Sequence, residues 1–326
     1  MTESKPPLTP VEGVLARSGT PDLLDILAER LQGTELTTLL LQAMRRRASR
    51  LSPPDVLRSY LQDRFVTPGP VPFGRLREAE NALLASLPAD FETLVLAPLV
   101  PLGTHSVLGP VDQNRVVSTV RRTEIAADPT NALALEAAVR RRAMVASDPR
   151  SAGLVKLAAS QRVVRGQRFE AADAFAHFHL FALATAGRDV GDLRFERDSA
   201  VEHVRFAALA LLRGGVSNVT VELTDLAGNE AVPIRDAVRD GLAHVHHVDV
   251  VDNPDRPDAR GYYAIFCFKA RAIIQGRTFE IADGGLVDWT QRLVPSRKER
   301  LFTSGLGVER LALAMDPNFR PMSDED

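Results

Sequence analysis

Cysteine is almost missing from this chain: Cys267 is the only one in 326 residues. A single thiol excludes an internal disulfide and any zinc site built from several cysteines. It lies in the apolar run YYAIFCFKA, where a small core residue fits. Lysine is nearly as scarce, with Lys5, Lys156, Lys269 and Lys298 alone among forty basic residues, so the other thirty-six are arginines. Most of that excess is compositional bias, although arginine is also the better bidentate phosphate ligand. A dominant charge sign is absent too. Forty basic against forty-two acidic residues give a net charge of −2, so no global field gathers DNA or a membrane surface, and any polyanion must be met locally. No stretch reaches the roughly 20 apolar residues of a membrane span. The opening MTESKPPLTP lacks the charged-then-apolar pattern of a signal peptide, so a cytoplasmic location is expected. What remains is an ordinary globular composition, 45% hydrophobic and 25% charged, long enough for one large domain with an appendage.

Residues 1–20 read as a flexible, proline-containing lead. Over 21–70 a helical N-terminal domain is expected. Apolar positions recur at helical spacing from Leu23 to Met44 with a break at Gly33, and Ser52 before two prolines and Asp55 starts a third helix. The prolines and glycines of VTPGPVPFG mark a boundary, and 71–318 reads as the main domain, followed by an acidic tail over 319–326. Within that domain one helix is expected over 75–87 and a strand over 91–99. Pro98 confines that strand to an edge or an interface. A helix over 131–146 precedes two strands that form a hairpin with its polar loop centred on 168–174. Then come a helix at 200–213, a strand at 218–226, a helix at 231–243, strands at 261–273 and 277–282, and a strand-to-helix unit at 301–315. Strands in runs with helices outside them make the fold class α+β, not a regular alternation.

The most informative segment is FTSGLGVERLALAM, residues 302–315. Gly305 and Gly307 alternate along a strand, which leaves room for a planar ligand, or else serves tight packing. The strand enters a helix whose first turn holds Glu309 and Arg310, and an arginine there suits a terminal phosphate. His244, His246 and His247 lie at spacings that make a poor metal site.

Together with GGLVDW at 284–289, RGYY at Arg260–Tyr263, the arginine hairpin around Arg165 and the strand ending at Pro98, this segment resembles the ordered signature motifs of a class II aminoacyl-tRNA synthetase core. The pattern is most like the histidyl-tRNA synthetase branch, which includes the regulatory subunit of ATP phosphoribosyltransferase, and it covers about residues 74–316. The resemblance implies an antiparallel sheet flanked by helices and a homodimer built through the Pro98 segment. It implies ATP and Mg2+ as ligands, with Arg165 gripping the α-phosphate, Phe178 stacking on adenine, Gly305, Gly307 and Arg310 completing the triphosphate site, and Glu280 near the metal. Arg165 and Arg310 would then carry catalysis. Asp128 and Thr130 fall on the family's substrate-binding acid and threonine, or simply cap the following helix. Arg260 and Tyr263 match part of the branch's RGLDYY motif with two residues missing.

Departures from the pattern narrow the substrate. Gln167 stands where an acid is usual, and Leu180 and Ala184 replace groups that would satisfy a histidine ring, so histidine is not the expected substrate. The expected activity is that of a paralogue making an adenylate from another amino acid or similar carboxylate. The alternative is a non-catalytic regulatory subunit. Without the branch's anticodon-binding domain after the third motif, full tRNA recognition is not expected. The N-terminal helices are a candidate surface for a protein partner or acceptor, and Arg45, Arg46, Arg47 and Arg50 there either touch phosphate or form a solvated helix face.

Overall fold

In the computed structural model, residues 8–167, 175–274 and 276–315 are described. The expected hairpin loop over 168–174 and the acidic tail over 319–326 lie outside them. The chain divides into two units, one holding the described residues up to Gln62 with Ser118–Thr123, the other Asp63–Val117 and Glu124 onward.

In the first unit, the expected flexible lead over 1–20 contains a helix where it is described, and residues 1–7 lie outside the described residues. Residues Pro10–Ser18 form helix α1, because Thr9 accepts a bond from Glu12 N while the Glu12 carboxylate accepts one from Thr9 N, a closed capping box with proline at the first turn. Leu23–Asp25 (α2) runs into a π turn at Ile26–Arg30, and Gly33–Ala48 forms α3. Ser52 N and Oγ both donate to Asp55, which opens α4 at Pro53–Gln62. No residue of these four helices is buried, and Arg45, Arg46, Arg47 and Arg50 are exposed.

The second unit is built on one eight-stranded sheet. Its elements in chain order are α5 (Phe73–Ser86), β1 (Glu92–Thr93), β2 (Leu99–Pro101), α6 (Thr104–Leu108), β3 (Thr123–Ile125), α7 (Pro129–Ser147), β4 (Val155–Val164), β5 (His177–Arg188), α8 (Arg194–Arg213), β6 (Val219–Asp225), α9 (Val232–Leu242), β7 (Val248–Asp252), β8 (Phe266–Ile274), β9 (Arg277–Val287), α10 (Trp289–Leu293), β10 (Glu299–Gly307) and α11 (Val308–Ala314). The strand order is β1-β4-β5-β10-β9-β8-β6-β7. The inner pairs are antiparallel, and only the two outermost, β1 with β4 and β6 with β7, are parallel. The fold is therefore α+β, with a sheet that is antiparallel at its centre and mixed at its rims.

Period-two burial places a core on each face of this sheet. Phe181 and Leu183 of β5 and Phe302 and Leu306 of β10 pack against α5, α8, α9 and α11. Ala182, Ala184 and Ala186 of β5 with Leu157 and Ala159 of β4 face α7, where Leu133, Ala134 and Ala137 meet them. Small residues on that second face keep the sheet surface low, which matters for the site. Across its middle, Ala159, Ala182, Gly305, Asp283 and Lys269 pair in register as one row.

Two expected strands come out differently. The segment over 91–99 pairs with β4 only at Glu92–Thr93, and Pro98, which has no N–H to give a ladder, lies between β1 and β2 with its carbonyl accepting from Ala126 N. The strand expected from 261 begins at Phe266, because Arg260–Tyr263 closes on itself as an isolated bridge. No helix among the described residues is long and apolar enough to cross a membrane.

Candidate functional site

One cavity of about 420 Å³ opens on the alanine-rich face of the sheet, within the second unit. Nine of the ten residues singled out from sequence line it: Asp128, Thr130, Arg165, Phe178, Tyr263, Glu280, Gly305, Gly307 and Arg310. They come from α7, the β4 turn, β5, the β8 approach, β9 and the β10–α11 junction, so the sheet gathers residues nearly two hundred positions apart.

Arg165 sits at the end of β4. Its backbone N donates to Ala176 O, and the adjoining Gly166 N donates to Arg115 O. A side-chain carbon at 166 would stand 2.9 Å from that same carbonyl, so the turn requires glycine. The Arg165 guanidinium donates from Nε to Ala127 O at 3.1 Å and from Nη2 to Asp128 Oδ2 at 3.3 Å. Its carbon centre lies 5.1 Å from the Phe178 ring centroid, within cation–π range. Held this way, Arg165 still has donors to offer, since a guanidinium carries five N–H groups.

Asp128 is the N-cap of α7: its Oδ1 accepts from Thr130 N at 2.9 Å and Thr130 Oγ1 at 2.7 Å. The capping role of the pair is thus realised. Both residues also line the cavity, and Oδ2 turns to Arg165.

Gly305 differs from the other strand glycines here. A Cβ at Gly284 would come within 2.7 Å of Thr303 O and closer still to Phe268, and one at Gly285 within 2.5 Å of Phe266 O, so packing alone demands glycine there. A Cβ at Gly305 would meet none of the described atoms within 4 Å. Gly305 therefore leaves open space in the middle of the row across the sheet. Arg310, half-buried on the first turn of α11, donates to the carbonyl of Glu280.

The β8–β9 pair carries a bulge after Ala270, which sets Arg271 opposite Glu280. Glu280 Oε1 accepts from Lys269 Nζ at 3.0 Å and Arg271 Nη2 at 2.7 Å. Burial pushes this carboxyl up, but the two cations outweigh it and hold it below its ordinary range. Its second oxygen accepts from no described residue, which fits a single carboxylate contact on a magnesium held mainly by phosphates. Among the described residues no cluster of three or more His, Cys, Asp or Glu could hold a metal unaided. Glu309 is occupied, accepting from His179 N at 2.6 Å and Arg162 Nη2 at 3.2 Å.

Arg260 is the exception to the sequence reading. It is exposed and does not line the cavity, while Arg256, four residues earlier and 4% exposed, does. Arg256 Nη2 bonds Asp283 Oδ2 at 2.6 Å, and Tyr263 Oη donates to Asp283 Oδ1 at 2.9 Å. Burial raises the Asp283 carboxyl while Arg256 pulls it back, and burial raises both Tyr262 and Tyr263, so the phenols stay protonated donors. Arg256 immediately precedes the 3-10 turn Pro257–Ala259, and its side chain reaches Asp283. An arginine before a proline-rich turn gave no sequence signal beyond its charge.

His105, Asn131, Arg115, Gln167 and Asp283 also line the cavity and were not singled out as binding residues. Leu180 lines it as an apolar wall, and Ala184 is fully buried beneath α7, so neither offers a partner to a polar ring. The arrangement combines an aromatic face beside a guanidinium, an unfilled strand glycine, a second arginine at a helix start, and a buried carboxylate–arginine–tyrosine group. That set suits an anionic ligand with a flat ring alongside a small polar molecule.

No family model matches the chain, and no curated protein matches it by sequence. Solved structures do. It is similar to apo histidyl-tRNA synthetase of S. aureus with a TM-score of 0.54 and 13% identity, covering 74% of this chain and 65% of that one. It is likewise similar to an ATP phosphoribosyltransferase regulatory subunit/histidyl-tRNA synthetase from Bacillus halodurans, TM-score 0.54, 13% identity, 77% and 82% covered. A histidine–tRNA ligase subunit from Alicyclobacillus acidocaldarius gives TM-score 0.53 and 14% identity, 76% and 95% covered. The chain has the class II synthetase-like fold, and it spans about two thirds of the S. aureus enzyme.

Proposed function

We propose that the cavity binds ATP and a small carboxylate and joins them as an acyl adenylate. The observation that carries this reading is Gly305, a strand glycine with no packing cause, lying in register between strands that present Phe178 and Glu280 and preceding Arg310. In this reading the adenine lies on the Phe178 face over the space at Gly305. Arg165, oriented by Asp128, meets the α-phosphate, and Arg310 meets the outer phosphates. Glu280 would hold Mg2+, whose chemistry is neutralisation of phosphate charge. The substrate carboxylate oxygen attacks the α-phosphorus, the bond to the β-phosphate bridge breaks, and pyrophosphate leaves with that electron pair. No protein nucleophile is needed, because the chain's contribution is positioning and charge complementarity. Asp128, Thr130, Tyr263, Asp283 and Arg256 stand where the carboxylate's remaining groups would lie, and the Leu180 wall disfavours histidine.

The test is ATP–pyrophosphate exchange across all twenty amino acids and a set of simple carboxylates. Exchange with at least one non-histidine member is expected, whereas none with any, together with no ATP binding, contradicts the reading. A second reading, a ligand-binding regulatory subunit without turnover, is favoured by the Glu280 carboxylate being already paired with Lys269 and Arg271 and by Gln167 replacing an acid. ATP binding without exchange is its signature.

The reading includes a homodimer through the Pro98 segment, supported by Val95, Leu99 and Leu102, whose apolar side chains are exposed there. Sedimentation at micromolar concentration checks it. The exposed apolar positions of α3 and α4, such as Leu39, Leu57 and Leu61, support a protein partner or acceptor for the N-terminal helices. A cytoplasmic site of action fits this reading.

A further inference from the structure

Among the described residues lining the cavity, Asn131 has a buried side-chain donor with no hydrogen-bond partner and an orientation that its surroundings fix. Asn131, on the first turn of α7, is 2% exposed and lines the cavity. Its Oδ1 lies 2.8 Å from His105 Nδ1, and its Nδ2 has no partner among the described residues. An amide oxygen and nitrogen are ordinarily hard to tell apart, but here the ring decides. His105 Nε2 is 2.9 Å from Ala127 N, and a backbone N–H can only donate, so Nε2 must accept. The ring proton is then on Nδ1, and Nδ1 can only donate to the amide oxygen. His105 is 1% exposed, and its own backbone N is fixed on Glu124 Oε1 at 3.0 Å, so it cannot turn away cheaply. The amide NH2 of Asn131 is therefore left as a buried, oriented donor with nothing to receive it. Such a group costs roughly 1–3 kcal/mol unless a ligand supplies an acceptor.

We infer that Asn131 is a specificity-determining residue of the cavity, selecting a carboxylate substrate whose side chain presents an acceptor oxygen, and that His105 is the positioning residue that holds the amide in that sense. The assignment rests on the proposed adenylate reading and names its substrate class. The surroundings suit this chemistry: Leu180 and Tyr262 give the cavity apolar lining, and His105 takes up the amide oxygen so that only the NH2 is left to bond a ligand. A buried donor rejects the isostere that lacks the oxygen, because the amide is then left unpaired.

The test titrates the full chain by calorimetry with isosteric amino-acid pairs, asparagine against leucine, threonine against valine and glutamine against methionine, each with and without ATP. At least one oxygen-bearing member is expected to bind about tenfold or more tightly than its apolar isostere. Asn131→Leu removes the preference. Asn131→Asp, which can only accept, turns it toward ligands that donate, a response a merely structural residue does not give. Thermal melting confirms that each variant folds. Equal affinity within every pair, no binding by any member, or a preference that survives Asn131→Leu overturns the assignment. ATP titration of the unaltered chain separates the two failures: ATP binding without an oxygen preference defeats the Asn131 assignment alone, while absence of ATP binding defeats the parent reading.

Discussion

Replacing Gly305 by valine tests whether the open space on β10 is there for a ligand or for the fold. The backbone at Gly305 is ordinary strand, and a Cβ there meets no described atom within 4 Å, so the added Cβ itself creates no overlap. Loss of glycine's unfolded-state freedom contributes about 0.4–1 kcal/mol of stability, and valine suits a strand. The melting temperature of Gly305→Val is expected to hold or rise slightly. Its two methyl groups, however, occupy the space that the reading gives to the adenine ring, and a stacked ring needs heavy-atom contact near 3.5–4.0 Å. ATP affinity is expected to fall about tenfold or more, which corresponds to about 1.4 kcal/mol or more. Gly285→Ala is the contrasting control. Its Cβ would stand 2.5 Å from Phe266 O and 2.7 Å from both Cys267 Cβ and Tyr263 Cδ1. That overlap costs about 1–3 kcal/mol, enough to lower the melting temperature by several degrees. Scanning calorimetry reads the first quantity and isothermal titration with ATP the second. A Gly305→Val chain that binds ATP as the unaltered chain does refutes the reasoning.

Other consequences concern stability and pH. Arg141 and Glu299, both fully buried, form a two-bond pair at 2.8 and 2.9 Å that ties α7 to β10. Glu299→Ala strands a buried guanidinium and is expected to cost about 3–5 kcal/mol in urea denaturation, most of it recovered when Arg141→Met is added. Glu124, buried, accepts from Gly103 N, His105 N and Gln113 Nε2, and although burial raises its carboxyl these donors hold it below its ordinary 4.5. A depressed carboxyl stabilises above its unfolded value and loses that contribution as pH falls through the folded one. The stability difference between the unaltered chain and Glu124→Gln should therefore shrink below about pH 4.5. If it stays constant from pH 6 to 3, the account of Glu124 is wrong. His203, buried between Thr185 Oγ1 and Ser304 Oγ, is pushed down to about 3 by burial. Its ring resonances should not titrate between pH 8 and 4, and because the unfolded ring takes up a proton below its ordinary 6.5, it makes folding less favourable as pH falls from there.

Where the sequence was legible, one pattern period dominated a segment. FTSGLGVER reads as a glycine strand entering a helix, and β10 and α11 meet at Gly307. Asp128 before Pro129 reads as a helix start, and it caps α7. Legibility failed where a non-local partner decides the outcome. No strand is expected between 243 and 261, yet VDVVD is β7, an edge strand whose parallel pairing with β6 follows the α9 crossover. A local signal was missed as well: Thr9 and Glu12, three residues apart, close a cap that the nearby prolines disguised. Arg256, just before the 3-10 turn Pro257–Ala259, lines the cavity, although no local pattern in the sequence marks it. His105 and Asn131, twenty-six positions apart, carry no local motif at all, and only the packing of α6 on α7 brings them together.

The central claim is that a triphosphate is met in this one cavity, by Arg165 beside Phe178 and by Arg310 at the start of α11. Isothermal titration of the full chain with ATP and magnesium, repeated for Arg310→Ala and Arg46→Ala, tests it most directly. The account predicts one saturable site per chain that Arg310→Ala weakens at least about tenfold, through loss of a charge-assisted phosphate contact, and that Arg46→Ala leaves intact. No heat of ATP binding in the unaltered chain, or equal binding in all three, contradicts it.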